Sequence, residues 1–352
     1  MTTRCAPPLL LVLSLTGPLS AADPAADLLQ PQAIDREVDA AVVRAVQFLA
    51  ESQRPSGGWY LDMYNGETTS AAALSLMALL AAGHSPGEEP YAGTFRRGVG
   101  YLLDHQQPTG LIVDKTGHGP LYCHGISTLA LAEIAGQAEP SQAAAIRHAL
   151  ERAVFALLQA QAVPKDDRHA GGWRYTLTSN DSDLSVTAWQ LLALRAAKNV
   201  GCDIPADAID DAVGYVKQCA ARQRGGFGYQ PGGGSTPTMT AAGITALQVC
   251  GEHDAPELSQ AIPVLTDRLP RYRERYFFYG AYYASVALHQ QGGDAWTNNK
   301  DSLFREILLR QNRDGSWNGV DGSEKPLGKV YATSLAVLAL TVEYGYLPIY
   351  QK

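Results

Sequence analysis

Two kinds of apolar stretch alternate along the chain. Over Ile34–Ser52, Val38, Ala41, Val42, Ala45, Val46 and Leu49 fall on one stripe, while Asp35, Arg36, Asp39 and Arg44 fall mostly elsewhere. That spacing predicts an amphipathic helix with one buried face. Thr68–Ala82 is different, because nearly every position of TTSAAALSLMALLAA is small or apolar. Such a helix is buried on most sides. The first kind recurs near Thr94–Asp104, Gln142–Gln159, Ala206–Ala221, Pro256–Leu269 and Lys300–Leu309. The second recurs near Leu121–Ala135, Asp183–Ala197, Thr238–Cys250, Phe277–Gln290 and Val330–Glu343. The pairs follow one another at roughly 45 to 60 residues, a repeat period. Half-buried helices alternating with fully buried ones predict two concentric rings. The expected fold is all-α: a single (α/α)6 toroid, six inner and six outer helices around a central cavity. A solenoid of stacked pairs also alternates, but its inner helices would show a wet concave face, and these do not.

Glycine-led turns join most pairs: Gly57-Gly58-Trp59, Gly110-Leu111-Ile112, Gly171-Gly172-Trp173, Gly225-Gly226-Phe227 and Gly315-Ser316-Trp317. The fifth pair, around Tyr272, lacks one. The glycine suits a tight turn off a helix C-terminus. The aromatic ring offers a large flat face to pack between pairs. Gln53 and Gln311, each ahead of its turn, can bond helix-end groups that would otherwise be unpaired. All of these read as structural residues.

Gln53–Trp59 and Gln311–Trp317 share the form Gln-x-x-x-Gly-x-Trp. This resembles the repeat of the squalene cyclase and protein prenyltransferase superfamily, whose fold is an α/α toroid. Gln106–Ile112 carries Ile in place of Trp, Gln223–Phe227 is shortened, and Gln161–Trp173 holds an insertion. The resemblance spans roughly 34–347 and is similar to that of short, exported, single-toroid bacterial proteins of the terpenoid-cyclase-like type. Full triterpene cyclases carry a second helical domain for which this chain has no room. Several copies in register specify a fold; they specify an activity far less well.

Composition narrows the partners. With 46% hydrophobic and 18% charged residues the chain can bury a large core, and its net charge of -7 argues against nucleic acid. Arg271–Arg275 is a short charged run in a helical stretch and reads as a solvated face. Arg4, the apolar run Pro8–Leu15 and Ser20-Ala21-Ala22 form the pattern of an export signal over 1–22. A Pro/Ala-rich lead-in over 23–33 and the toroid domain over 34–352 follow. Periplasmic or secreted localisation is expected, with no membrane span in the mature chain, since the apolar run is too short. The mature chain would keep Cys123, Cys202, Cys219 and Cys250. An oxidising compartment would permit Cys202 and Cys219 to pair, while single buried cysteines are the simpler reading.

Candidate chemistry gathers at inner-helix N-termini. Asp181-Ser182-Asp183-Leu184 precedes the helix SVTAWQLLAL. Read from the residues, Ser182 or Asp183 suits an N-cap. The resemblance to triterpene cyclases, whose acid lies in an Asp-x-Asp-Asp motif, implies Asp183 as a protonating acid with Asp181 beside it. Leu184 stands where the last Asp would be and removes a carboxylate. Protonating an alkene needs a strong, desolvated acid. His124, in Leu-Tyr-Cys-His-Gly, is the candidate partner: either it faces the cavity and orients a carboxylate or ligand, or it is a core histidine bonded to backbone. Cys123 and His124 point about 100° apart on a helix, so they do not share a zinc ion, and the Asp-x-Cys of the prenyltransferase site is absent. No metal and no cofactor are expected.

The segment Tyr272–Tyr283 is densely aromatic, with Tyr272, Tyr276, Tyr279 and Tyr283 at helical spacing. Packed in a core they would leave hydroxyls to satisfy; lining a cavity they would hold an apolar or cationic ligand. Tyr122, Trp189, Tyr276, Tyr279 and Tyr283 are the ligand-binding candidates. No Gly-x-Ser-x-Gly elbow, P-loop or His-Glu-x-x-His is present; Gly225–Gly234 reads as a turn. The first functional reading is an exported toroid that binds, and could transform, an isoprenoid or other apolar small molecule. The second is a non-catalytic toroid binding a protein or glycan through its loops. A carbohydrate enzyme would need two carboxylates at glycosidase separation, and Asp181 and Asp183 are too close in sequence for that.

Overall fold

A computed structural model describes residues 24–114, 119–221, 225–320 and 322–351. The segment read as an export signal lies outside the described residues. Thirteen α-helices follow in order: α1 (Pro24–Glu51), α2 (Thr69–Ala81), α3 (Ala92–Asp104), α4 (Pro120–Ala135), α5 (Pro140–Gln161), α6 (Leu184–Asn199) and α7 (Ala206–Gln218). Then come α8 (Pro237–Val249), α9 (Pro256–Asp267), α10 (Phe277–Gln291), the single turn α11 (Gly293–Thr297), α12 (Lys300–Leu308) and α13 (Lys329–Leu340). One short hairpin, β1 (Trp59–Leu61) and β2 (Gly66–Thr68), pairs Trp59 opposite Thr68 between α1 and α2.

Burial sorts the helices as the apolar pattern predicts. Every residue of α2 is buried, from Thr69 to Ala81. In α3 the buried positions Ala92, Phe95, Val99 and Leu102 recur at three and four residues, a single stripe. The inner helices pack in sequence, α2 on α4, α4 on α6, α6 on α8, α8 on α10 and α10 on α13, and α13 packs back on α2. That last contact closes the ring and removes the open superhelix. The outer helices α1, α3, α5, α7, α9 and α12 surround it. The fold is a closed (α/α)6 toroid. Among the described residues no helix is long and apolar enough to cross a membrane.

The repeated turn is the seam between neighbouring pairs. Gly171 adopts φ 82°, and a Cβ there would lie 2.2 Å from the backbone oxygen of Asp211 on α7. Gly315 adopts φ 83° and meets Arg44 on α1 in the same way, at 2.3 Å. Only glycine tolerates both the left-handed backbone and this approach. Each glutamine bridges the glycine carbonyl of its own turn and a carbonyl of the next outer helix, in place of the helix-end groups expected. Gln161 Nε2 donates to Gly171 O and Ala208 O, both at 2.8 Å. Gln311 Nε2 does the same to Gly315 O (2.9 Å) and Ala41 O (2.8 Å) and so ties the last repeat to the first. Trp173 and Trp317 are buried, and their indole N–H groups donate to Leu157 O and Ile307 O, each at 2.8 Å.

Two local expectations change. Helix α1 starts at Pro24, so the backbone of the lead-in is helical; Ala, Leu and Gln are good helix formers and extend a helix already nucleated by packing. Arg271–Tyr276 is a loop, not part of a helix, because α10 begins at Phe277 and Tyr276 sits in the left-handed region at φ 57°. Cys202 and Cys219 are both buried and unpaired, the simpler of the two readings.

Candidate functional site

The first turns of the inner helices converge at one end of the ring and enclose a cavity of about 900 Å³. Its wall follows a simple rule. Residues four apart on an inner helix share a face, and Ser70 with Leu74, Tyr122 with Ile126, Ser185 with Trp189, and Tyr331 with Leu335 all line the space. Met239, Leu61 and Leu327 add apolar surface. Met63 and Tyr276, which are 54% and 40% exposed, mark the mouth. Glu274 is the one carboxylate among the described lining residues, and it pairs with Arg268 at 3.3 Å.

Trp189 closes the floor. Its ring stacks on Tyr282 at 5.6 Å with an interplanar angle of 13°, and meets Tyr283 edge-on at 5.5 Å. Below them the C-terminal segment seals the ring axis. The hydroxyls of Tyr282 and Tyr350 are hydrogen-bonded, and the Ile349 N–H donates to Glu133 Oε2 at 3.1 Å. Burial pushes the Glu133 carboxyl up to about 8, against the pull of the Ile349 N–H, so it is protonated at neutral pH.

One side of the cavity is polar. Tyr122 Oη lies 2.5 Å from Ser185 Oγ, and Ser185 Oγ lies 3.1 Å from Tyr279 Oη. Nearby the Tyr175 and Tyr229 hydroxyls are 2.5 Å apart, with the Arg174 guanidinium over both rings at 5.1 and 5.9 Å. Backbone anchors put these tyrosines there. Tyr175 O accepts from Leu121 N (3.0 Å), at the start of α4, and Tyr229 O accepts from Leu184 N (2.9 Å), at the start of α6. Each loop thus satisfies an orphan N–H of the preceding inner helix.

The structure separates the sequence candidates. Tyr122, Trp189, Tyr276 and Tyr279 reach the cavity. Tyr283 does not; it is fully buried, packed against Trp189 and Tyr279. Asp183 is the N-cap of α6, and its Oδ1 accepts from Val186 N at 2.8 Å. Its Oδ2 lies 3.4 Å from Arg174 Nε. The side chain is wholly buried and is not on the cavity wall. Burial pushes its carboxyl up to about 6, against the Val186 N–H, the Tyr229 hydroxyl and Arg174. Asp181 is partly exposed and pairs with Arg174.

His124 is turned away from the cavity; of its two readings the structure has the core histidine bonded to backbone, and the role as partner of the carboxylate or a ligand is corrected. It is fully buried; Nδ1 accepts from Ile112 N at 3.0 Å and Nε2 donates to Ala153 O at 3.1 Å. Burial lowers the imidazole to about 4, so it is neutral. The reason lies in the repeat. Trp173 N donates to Thr187 Oγ1, Phe227 N to Thr240 Oγ1 and Trp317 N to Thr333 Oγ1. His124 holds the place of those threonines and accepts the same backbone N–H from Ile112.

Tyr175, Tyr229 and Ser185 line the cavity and were not among the sequence candidates. A signal was available: Tyr175 and Tyr229 each stand two residues after the turn aromatic, Trp173 and Phe227. Leu61, two after Trp59, also lines the cavity. Asp114, two after Ile112, caps α2 by accepting from Thr69 N at 2.9 Å. Among the described residues no three His, Cys, Asp or Glu side chains come together as a metal-holding group.

A scan against protein-family models and a search of curated protein sequences each found no match. Solved structures do match. A cellobiose 2-epimerase from Spirochaeta thermophila aligns with TM-score 0.64 at 15% identity, over 89% of this chain and 97% of that one. An inactive variant of an α-1,6-mannanase of Salegentibacter, in complex with α-1,6-mannotriose, aligns with TM-score 0.62 at 10% identity, over 86% and 98%. A variant of a type II terpene cyclase from Scytonema, in complex with geranylgeranyl dihydroxybenzoate, aligns with TM-score 0.58 at 15% identity, over 90% and 99%. The likeness is one of fold alone: the closed (α/α)6 toroid.

Proposed function

We propose that the protein binds an isoprenoid or another apolar small molecule in its central cavity. The observation that carries this reading is the wall itself: about 900 Å³ enclosed mainly by Leu, Ile, Met, Trp and Tyr side chains, open at one end. Pockets of this size and lining suit drug-sized apolar ligands. The terpene cyclase whose fold is similar is in complex with a prenylated aromatic. The placement of Asp183 favours binding over acid-initiated cyclisation, because an acid must touch the carbon it protonates. Its Oδ1 instead accepts from Val186 N–H, its Oδ2 faces Arg174 Nε at 3.4 Å, and the side chain is not among those lining the cavity. A glycosidase-like reading would need a second carboxylate beside Glu274, and among the described lining residues there is none. We further propose that the chain acts outside the cytoplasm, on the Arg4–Ala22 pattern.

The test is to incubate the purified mature chain with extracted bacterial lipids, identify what co-purifies, and measure melting with and without polyprenyl compounds. Recovery of an isoprenoid and a raised melting temperature are expected. Recovery of none, together with unchanged melting, overturns the reading. Stabilisation by oligosaccharides alone would favour a glycan in the same space.

A further inference from the structure

Three polar contacts join the hydroxyls of Tyr122, Ser185 and Tyr279, and giving each contact one hydrogen orients all three. Tyr279 Oη lies 3.3 Å from the Ser185 carbonyl oxygen, which can only accept, so the Tyr279 hydrogen goes there. The 3.1 Å contact between Ser185 Oγ and Tyr279 Oη must then use the Ser185 hydrogen. The 2.5 Å contact between Tyr122 Oη and Ser185 Oγ must use the Tyr122 hydrogen. Each hydrogen serves one contact, and none is left over. Tyr122 lines the cavity with its phenolic oxygen having given up its only hydrogen, so what it offers inward is lone pairs. The wall therefore asks for a hydrogen-bond donor.

The charge around the cluster narrows the donor. An ammonium head would approach the Arg174 guanidinium, which lies over the Tyr175 ring, itself 6.0 Å from the Tyr122 ring. A carboxylate or phosphate brings only acceptors to an oxygen that accepts. A neutral hydroxyl meets neither objection.

We propose that the ligand is an apolar chain bearing a neutral hydroxyl, and that Tyr122, oriented by Ser185 and Tyr279, is the specificity-determining acceptor for that group. The proposal rests on the reading of the cavity as an apolar-ligand site.

The experiment compares three probes of one length: a C20 prenyl alcohol, its methyl ether, and the corresponding hydrocarbon, each titrated against the full-length mature chain. The ether can accept but not donate. The alcohol is expected to bind about tenfold more tightly than either, the worth of one buried hydrogen bond. Tyr122→Phe should bring the alcohol down to the level of the ether and leave the hydrocarbon unchanged. Ser185→Ala should free the Tyr122 hydrogen to donate, raising the ether several-fold relative to the wild-type chain. Equal binding of alcohol and ether by the wild type, or an alcohol preference that survives Tyr122→Phe, overturns the proposal while leaving apolar binding intact. Absence of binding by all three overturns both.

Discussion

The seam turns and the cavity wall are built by the same repeats and obey opposite rules. At the seams one solution recurs: a left-handed glycine against the next outer helix, a glutamine bridging to that helix, and an aromatic N–H held by a threonine. At the wall the repeats diverge. Equivalent inward pairs are Ser70 with Leu74, Tyr122 with Ile126, and Ser185 with Trp189. What repeats closes the ring; what departs from the repeat shapes the space inside it. His124 shows that a departure in residue type is not always a departure in role, since it takes the threonine's place and performs the threonine's hydrogen bond.

Breaking a seam should have the largest effect. Gly171→Ala would force Cβ into the Asp211 carbonyl at left-handed φ, and Trp173→Ala would empty a buried indole site. Each is expected to cost about 3 kcal/mol or more, measured by urea denaturation. A loss under about 1 kcal/mol would show that the seam is not what holds the ring.

Glu133 marks the closed end of the axis and gives a pH signature. Its folded pKa near 8 lies above its value in an unfolded chain, about 4.3. Between those values the folded state keeps a proton that the unfolded state has lost, so stability falls as pH rises, by about 1.4 kcal/mol per unit, and levels above pH 8. Asp183, raised to about 6, acts in the same direction only below that pH; His124, lowered to about 4, acts oppositely between about 4 and 6.5. The window from 6.5 to 8 therefore isolates Glu133. Glu133→Gln should flatten it in melts taken across that range, and an unchanged slope would place the titration elsewhere.

His124→Ala should cost about 1–3 kcal/mol, since it strands the Ile112 N–H and the Ala153 carbonyl in the core. His124→Thr should recover part of that loss in the same denaturation assay, and neither variant should alter ligand binding. Loss of binding with retained stability would return His124 to the site. The smallest effect belongs to Asp183→Asn. Asn also caps helices well, so stability should shift by less than about 1 kcal/mol and prenyl-compound affinity should hold. A marked fall in affinity would make that carboxylate more than a cap.

The ring was legible because burial is periodic. Positions such as Val38, Val42 and Val46 need only a helix and a core to be placed, and TTSAAALSLMALLAA admits no wet face. The closing contact of α13 on α2 follows from the number of pairs. The cavity was half legible. Tyr122, Trp189 and Tyr279 could be named from helix-start positions and aromatic density. Tyr283 could not be set behind the wall without knowing that Trp189, from α6, packs edge-on against it. Tyr175 and Tyr229 come from separate loops, and meet only because their carbonyls dock on α4 and α6. His124 misled because a histidine at an inner-helix start has two readings, and only the partner N–H of Ile112 chooses between them.

The central claim is that the hollow, and not the loops, holds the ligand. Ile126→Trp would extend an indole from α4 into that space without touching a seam. The decisive measurement is the affinity of this variant for the prenyl compound recovered with the wild-type chain, taken alongside its melting temperature. The account predicts a ring as stable as the wild type with binding weakened tenfold or more, a loss on the order of 1.4 kcal/mol. Undiminished binding by a folded Ile126→Trp chain would contradict it.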